Sequence, residues 1–317
     1  MTHILLIILN PAVVGILMLF LSVIWMLMDE KDKVRPLLVF ALTLNLIFGV
    51  LLKVFMGHEG SLLPLKYDFI LFQLDHALGV STAMAVSPLH RAFRISLFVV
   101  YQLMVPMMIL WFLVTKYRVR SGSVVMAYIA ELIAGPILYT VVPACGPIYA
   151  FGKTWLHQAP VAAIPVKLGG MPNAFPSLHV ATAVVLVLFA PRKFYRALSL
   201  AFLAGTCLAT LSTGEHYVID LFPGMLFGVY AAAVGFRQYR RASAFLLAAF
   251  GWSAVVRLAY PILIAHPEIL RSLVAATVAV VAGVVLRDWW PRISQDLHDN
   301  SIPNLQSEGA ASELESG

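Results

Sequence analysis

Long apolar runs alternate along this chain with short polar segments that carry most of its lysine and arginine. A helix needs about 20 mostly apolar residues to cross the hydrocarbon core of a bilayer. Nine runs qualify: Ile4–Met28, Pro36–Met56, Ser96–Thr115, Ser123–Val142, Pro176–Ala190, Leu198–Ser212, Tyr217–Gly235, Ser243–Ile264 and Glu268–Leu286. The fifth and sixth are short. Gly or Pro falls within each run, which helices in lipid tolerate because neighbours satisfy the freed backbone groups. The pattern predicts an all-α fold, a polytopic transmembrane helical bundle of about nine spans. The first run lacks a basic leader and a small-residue cleavage site, so it reads as a retained helix rather than a removed signal.

Between the second and third runs, residues 57–95 are too polar for a span and too apolar for a free loop. Leu62, Leu63, Leu65, Phe69, Ile70, Phe72 and Leu74 alternate there with Lys66, Asp68, Gln73 and Asp75. This predicts an amphipathic segment at the outer interface, either a lid packed on the bundle or a lateral route for a lipid. Asp68 and Asp75 read as solvated or capping; as a metal pair they lack further ligands nearby. Glu131 and Arg257 lie inside predicted spans, where a charge is costly and faces the bundle interior. They are expected to pair with each other or with polar backbone. Four regions result: N-terminal helices with the interfacial segment (1–122), a core (123–236), C-terminal helices (237–290) and a polar, disordered tail (291–317). No internal repeat is visible.

Composition agrees with a membrane protein. Of the 317 residues, 61% are hydrophobic and 12% charged, against roughly 45–50% apolar in soluble domains. The net charge of +6 is divided into short clusters at span ends, so no nucleic-acid partner is implied. Every second loop holds a cluster: Lys31, Lys33 and Arg35; Lys116, Arg118 and Arg120; Arg192, Lys193 and Arg196; Arg237, Arg240 and Arg241; Arg287 and Arg292. These are 14 of the 22 basic residues. The positive-inside rule then places the N-terminus outside and the C-terminus in the cytoplasm. Two cysteines, Cys145 and Cys207, exclude a disulfide framework and a Cys-based zinc site. They read as free thiols, with one disulfide near the outer face as the alternative.

Two polar clusters stand out, and one hairpin brings both to the outer face. The first is Phe175-Pro176-Ser177-Leu178-His179, the second Gly214-Glu215-His216-Tyr217-Val218-Ile219-Asp220. Pro176 suits the first turn of a helix, which would aim the amides of Ser177, Leu178 and His179 at an anion. His179, one turn in, is placed to give or take a proton. His216 and Asp220 are four apart and would share a helix face, so the carboxylate fixes the imidazole tautomer and leaves a lone pair for attack. The long outer loop 143–174 adds Lys153, His157 and Lys167 on a face poor in cations. The two lysines read as anion-binding or as partners of lipid headgroups.

With Tyr139–Pro147, these clusters resemble the type 2 phosphatidic acid phosphatase superfamily, and more closely its branch containing fungal inositol phosphorylceramide synthase and the sphingomyelin synthases. The resemblance covers about 123–236. It implies that His216 attacks phosphorus to form a phosphohistidine, that Asp220 orients it, and that His179 acts as general acid and then base. Ser177 would hold the phosphoryl oxygens, with Lys153, Lys167, Arg91 or Arg94 in place of the family's phosphate-binding cations. No metal or cofactor is needed. Three departures from the phosphatase pattern, Leu178 for glycine, Thr210 for arginine and no Lys-x6-Arg-Pro motif, favour transfer from a phospholipid to an alcohol over hydrolysis of a lipid phosphate or pyrophosphate. A transporter is the alternative from another class.

Overall fold

A computed structural model describes residues 57, 60, 62–80, 91–116, 121–159 and 161–299. The first two expected spans and the tail from 300 lie outside the described residues. The helices are α1 (Asp68–Leu78), α2 (Arg91–Gln102), α3 (Met104–Lys116), α4 (Ser121–Val141), α5 (Pro147–Phe151), α6 (Leu178–Leu188), α7 (Lys193–Ser212), α8 (Leu221–Gly235), α9 (Tyr239–Ala265) and α10 (Pro267–Asp299). Turns of 3-10 helix occupy Gly152–His157 and Val218–Asp220. Strands β1 (Leu65–Lys66) and β2 (Val166–Lys167) pair antiparallel, with Leu65 opposite Lys167.

Among the described residues, five helical stretches are long and apolar enough to cross a membrane: Val124–Val141, Lys193–Ser212, Val218–Gly235, Tyr239–Ala265 and Pro267–Trp289. Helices α2 and α3, bent by 44° at their junction, make a sixth if taken as one span. The protein is thus a mostly helical, multi-pass membrane protein. The nine-span expectation is not confirmed: its first two runs lie outside the described residues, and its fifth is the 11-residue helix α6. At 1.5 Å per residue, α6 is about 16 Å long, half a bilayer core. The last helix also runs further than expected, through the polar residues 291–299.

Helix α6 is short because it is the innermost element. Every residue from Val180 to Ala190 is buried, as expected of a helix apolar on all sides. Ser177 caps its start, its hydroxyl accepting the Val180 amide at 3.4 Å. At its other end, two indoles donate to carbonyls of the last turn: Trp111 at 2.6 Å to Leu186, and Trp289 at 3.2 Å to Val187, whose carbonyl also accepts the Ala190 amide at 3.3 Å. Helix α8 lies directly against α6. A Cβ added at Gly224 would sit 2.5 Å from the Ser177 carbonyl oxygen, and one at Gly228 would sit 2.4 Å from that of Ala181. Small residues four apart on both helices allow this approach, as is common between membrane helices.

Glu131 and Arg257 do not pair. The Glu131 carboxyl accepts the Thr182 hydroxyl at 2.8 Å, tying α4 to α6. Arg257 donates instead to the Val141 carbonyl at 2.7 Å, capping the end of α4, and lies 5.6 Å from the Tyr67 ring centroid. Each ionisable group found a closer polar partner than the other.

Candidate active site

The two polar clusters meet at the N-terminal ends of α6 and α8. The Ser177 amide donates to the Asp220 carbonyl at 3.1 Å, and the Ala174 amide donates to the Ala144 carbonyl at 2.9 Å. Helix α6 therefore starts at Leu178, not Pro176, and the Ser177 amide is already used. Leu178 and His179, at the first two helical positions, have amides with no intrahelical acceptor. They remain suited to an anion.

His216 is 3% exposed. Its Nδ1 lies 2.7 Å from the Ala174 carbonyl oxygen. A carbonyl can only accept, so Nδ1 carries the proton and Nε2 the lone pair. Nε2 faces the Ser177 hydroxyl at 3.4 Å. Burial lowers the His216 pKa to about 4, against the opposing effects of the Ala174 bond and the Glu215 charge. The His179 ring lies 5.9 Å from that of His216, edge to face, and Tyr101 of α2 stacks on His179 with centroids 4.3 Å apart.

Asp220 is close to His216, though not by the expected route. His216 precedes the helix rather than sharing a face of it, and the intervening residues form the 3-10 turn. One Asp220 oxygen accepts the Tyr217 amide at 2.8 Å and lies 3.5 Å from His216 Nδ1. The nearer partner, the Ala174 carbonyl, sits just ahead of the Phe-Pro-Ser-Leu-His run, and spacing alone could not identify it.

Helix α1 contributes what sequence reasoning missed. Its apolar residues Ile70, Leu71, Phe72 and Leu74 are buried, and so are Asp68 and Asp75. The segment packs on the bundle as a lid would, but the two carboxylates face inward rather than toward water. Asp68 accepts the Gly146 amide at 2.8 Å, the Cys145 amide at 3.1 Å and the Tyr217 hydroxyl at 3.0 Å. Burial raises its pKa to about 6, and these same donors oppose that rise. Asp75 accepts the Val218 and Ile219 amides, both at 2.9 Å. Of the readings for this pair, capping holds, and burial of both carboxylates rules out solvation. The only sequence signal was the seven-residue spacing, two helical turns, which sets both on one side.

The outer loop closes the site from the other flank. Gly146 has φ +92°, and a Cβ there would lie 2.3 Å from the Glu215 carbonyl oxygen. The Ile148 amide donates to the Gly214 carbonyl at 2.9 Å, and the Tyr149 hydroxyl donates to Glu215 at 3.1 Å. Lys167 is exposed on β2. Lys153 lies in the Gly152–His157 turn and Arg91 begins α2; their side chains are outside the described residues. Arg94 is half-buried on α2. Thr210 is buried and donates to the Cys207 carbonyl at 3.1 Å. Cys145 and Cys207 are free thiols.

No curated protein and no solved structure matches this chain. A family model described as PAP2 superfamily matches residues 70–234. That segment holds both histidine clusters, the Asp220 carboxylate, Asp75 and the helices α2 to α8 that carry or pack around the site. The match extends over more than half of the 317 residues, and on it the chain belongs to the PAP2 superfamily.

Proposed function

We propose that the protein is a membrane phosphotransferase that moves a head-group phosphate from a phospholipid to an alcohol through a phosphohistidine at His216. The observation that carries this reading is the tautomer. Nδ1–H is held by the Ala174 carbonyl, so the Nε2 lone pair points toward Ser177 at the start of α6, where a helix N-terminus favours a phosphoryl group.

In the first half-reaction, Nε2 attacks phosphorus and the bond to the leaving alkoxide breaks. Burial and the neighbouring His216 lower the His179 pKa to about 3, so His179 takes up its proton only beside the phosphate anion. As imidazolium it gives that proton to the leaving oxygen as the alcohol departs. Asp220 balances the charge left on the phosphorylated ring. In the second, neutral His179 takes the proton of the acceptor alcohol, whose oxygen attacks phosphorus as the N–P bond breaks. His216 is then restored. Ser177 and the amides of Leu178 and His179 stabilise the equatorial oxygens, and Lys153 and Lys167 serve as anion partners in the outer loop. The clusters face the extracytoplasmic side, opposite the basic ends at Arg192, Lys193 and Arg237.

Charge favours a phosphodiester donor. A lipid phosphomonoester approaches two negative charges at neutral pH, a phosphodiester one. Thr210 stands where the phosphatases carry arginine and is neutral, with its hydroxyl used inside α7. A site with fewer cations suits the single charge. Hydrolysis, with water as acceptor, is the second reading, since the same superfamily includes phosphatases. The test offers labelled phospholipids to purified protein in micelles, with and without ceramide, diacylglycerol or inositol, and measures free phosphate and free head-group phosphate beside any new lipid. A new acceptor-dependent lipid, lost in His216→Ala, supports transfer. Free phosphate or head-group phosphate alone, lost in the same variant, makes the protein a hydrolase.

A further inference from the structure

We propose that Asp68 and Asp75 are positioning residues for His216, which makes α1 part of the active site rather than a cover over it. The kinetic arm of this inference rests on His216 as nucleophile; the geometric arm does not.

Three successive amides after His216 end on carboxylates: Tyr217 on Asp220, then Val218 and Ile219 on the two oxygens of Asp75. Those last amides begin the 3-10 turn leading into α8, where helical acceptors are lacking and buried donors are costly to leave unpaired. A carboxylate suits this place because its two oxygens serve adjacent donors and its charge complements the helix start. Asp68 acts on the other flank. It holds the Tyr217 side chain and the Cys145 and Gly146 amides, and Gly146 presses against the Glu215 backbone. The backbone of His216 is thereby fixed from both sides, and so is the distance from its Nδ1 to Ala174.

Helix α1 is itself secured. The Tyr67 amide donates to the Pro143 carbonyl at 2.8 Å. Phe69 and Phe72 pack on Phe151, with ring centroids 5.3 and 5.0 Å apart. Lys66 is buried and its ammonium donates to the Leu63 carbonyl. The clamp therefore acts from a braced helix.

The test uses the full chain in lipid micelles with nitrogen-labelled histidine. Wild-type His216 should show the Nδ1–H tautomer alone. Asp75→Ala, and less strongly Asp75→Asn, which keeps one acceptor oxygen, should shift that signature toward a mixture. With a lipid donor, turnover in Asp75→Ala should fall on the order of 100-fold, the loss typical of about 1 Å of misplacement, with KM unchanged. Asp68→Asn gives a near-isosteric second variant if Asp75→Ala does not fold. An unchanged tautomer signature in folded Asp75→Asn and Asp68→Asn would overturn the inference. If the signature shifts while wild-type protein turns over no lipid donor, positioning stands and the nucleophile reading falls.

Discussion

Gly224 sets how closely the two halves of the site approach. An alanine Cβ there would lie 2.5 Å from the Ser177 carbonyl oxygen, where ordinary contact begins at 3.4 Å. Helices α6 and α8 must separate by about 0.9 Å at that level. The bond from the Ser177 amide to the Asp220 carbonyl, 3.1 Å long, would stretch to about 4 Å and be lost. Overpacking of this kind costs roughly 1–3 kcal/mol in stability. Because Ser177 and His179 would move relative to His216, turnover of folded protein should fall about 100-fold, the cost of a displacement near 1 Å. Gly228→Ala is the control, with a comparable clash against Ala181 and Val184 one turn deeper. It should lower the melting temperature similarly and reduce turnover less. Thermal unfolding and turnover per folded molecule, measured on both variants in the same micelles, separate the two effects. Wild-type turnover in folded Gly224→Ala would refute the claim that this approach sets the catalytic geometry.

Other outcomes follow from the same contacts. Asp220→Asn keeps an acceptor for the Tyr217 amide but removes the charge near His216 Nδ1, so turnover should fall without the complete loss expected for His216→Ala; an unchanged rate would break the link between the two residues. The His216 pKa is depressed from 6.5 to about 4, so its contribution to stability is present above pH 6.5 and lost as pH falls through that window. Unfolding measured across it should show wild type losing more stability than His216→Gln, and parallel curves would contradict the shift. Trp111→Phe removes the indole donor to the buried Leu186 carbonyl and should cost about 1–3 kcal/mol in unfolding measurements while folded protein keeps its turnover.

The apolar runs were legible because a continuous apolar segment of about 20 residues satisfies its own backbone in lipid only as a helix. Their count was less so, since α6 reads as a span by composition and is instead a half-length helix surrounded by protein. The histidine clusters were visible as residue types at helix starts, but the contacts that orient His216 were not. The Ala174 carbonyl has no side-chain signature, and the Gly224 and Gly228 contact depends on which helices become neighbours. Asp68 and Asp75 looked like the polar side of an interfacial helix. Only the fold shows that the amides they cap belong to loops 77 or more positions away in the chain.

The central claim is covalent, and it is tested most directly by quenching the protein in alkaline detergent during turnover of a phosphorus-labelled phospholipid and mapping the label by peptide mass spectrometry under alkaline conditions. The account predicts an acid-labile phosphoryl group on His216, absent from His216→Ala and discharged when an acceptor alcohol is added. Full turnover with no label on His216, or undiminished turnover in His216→Ala, would contradict it.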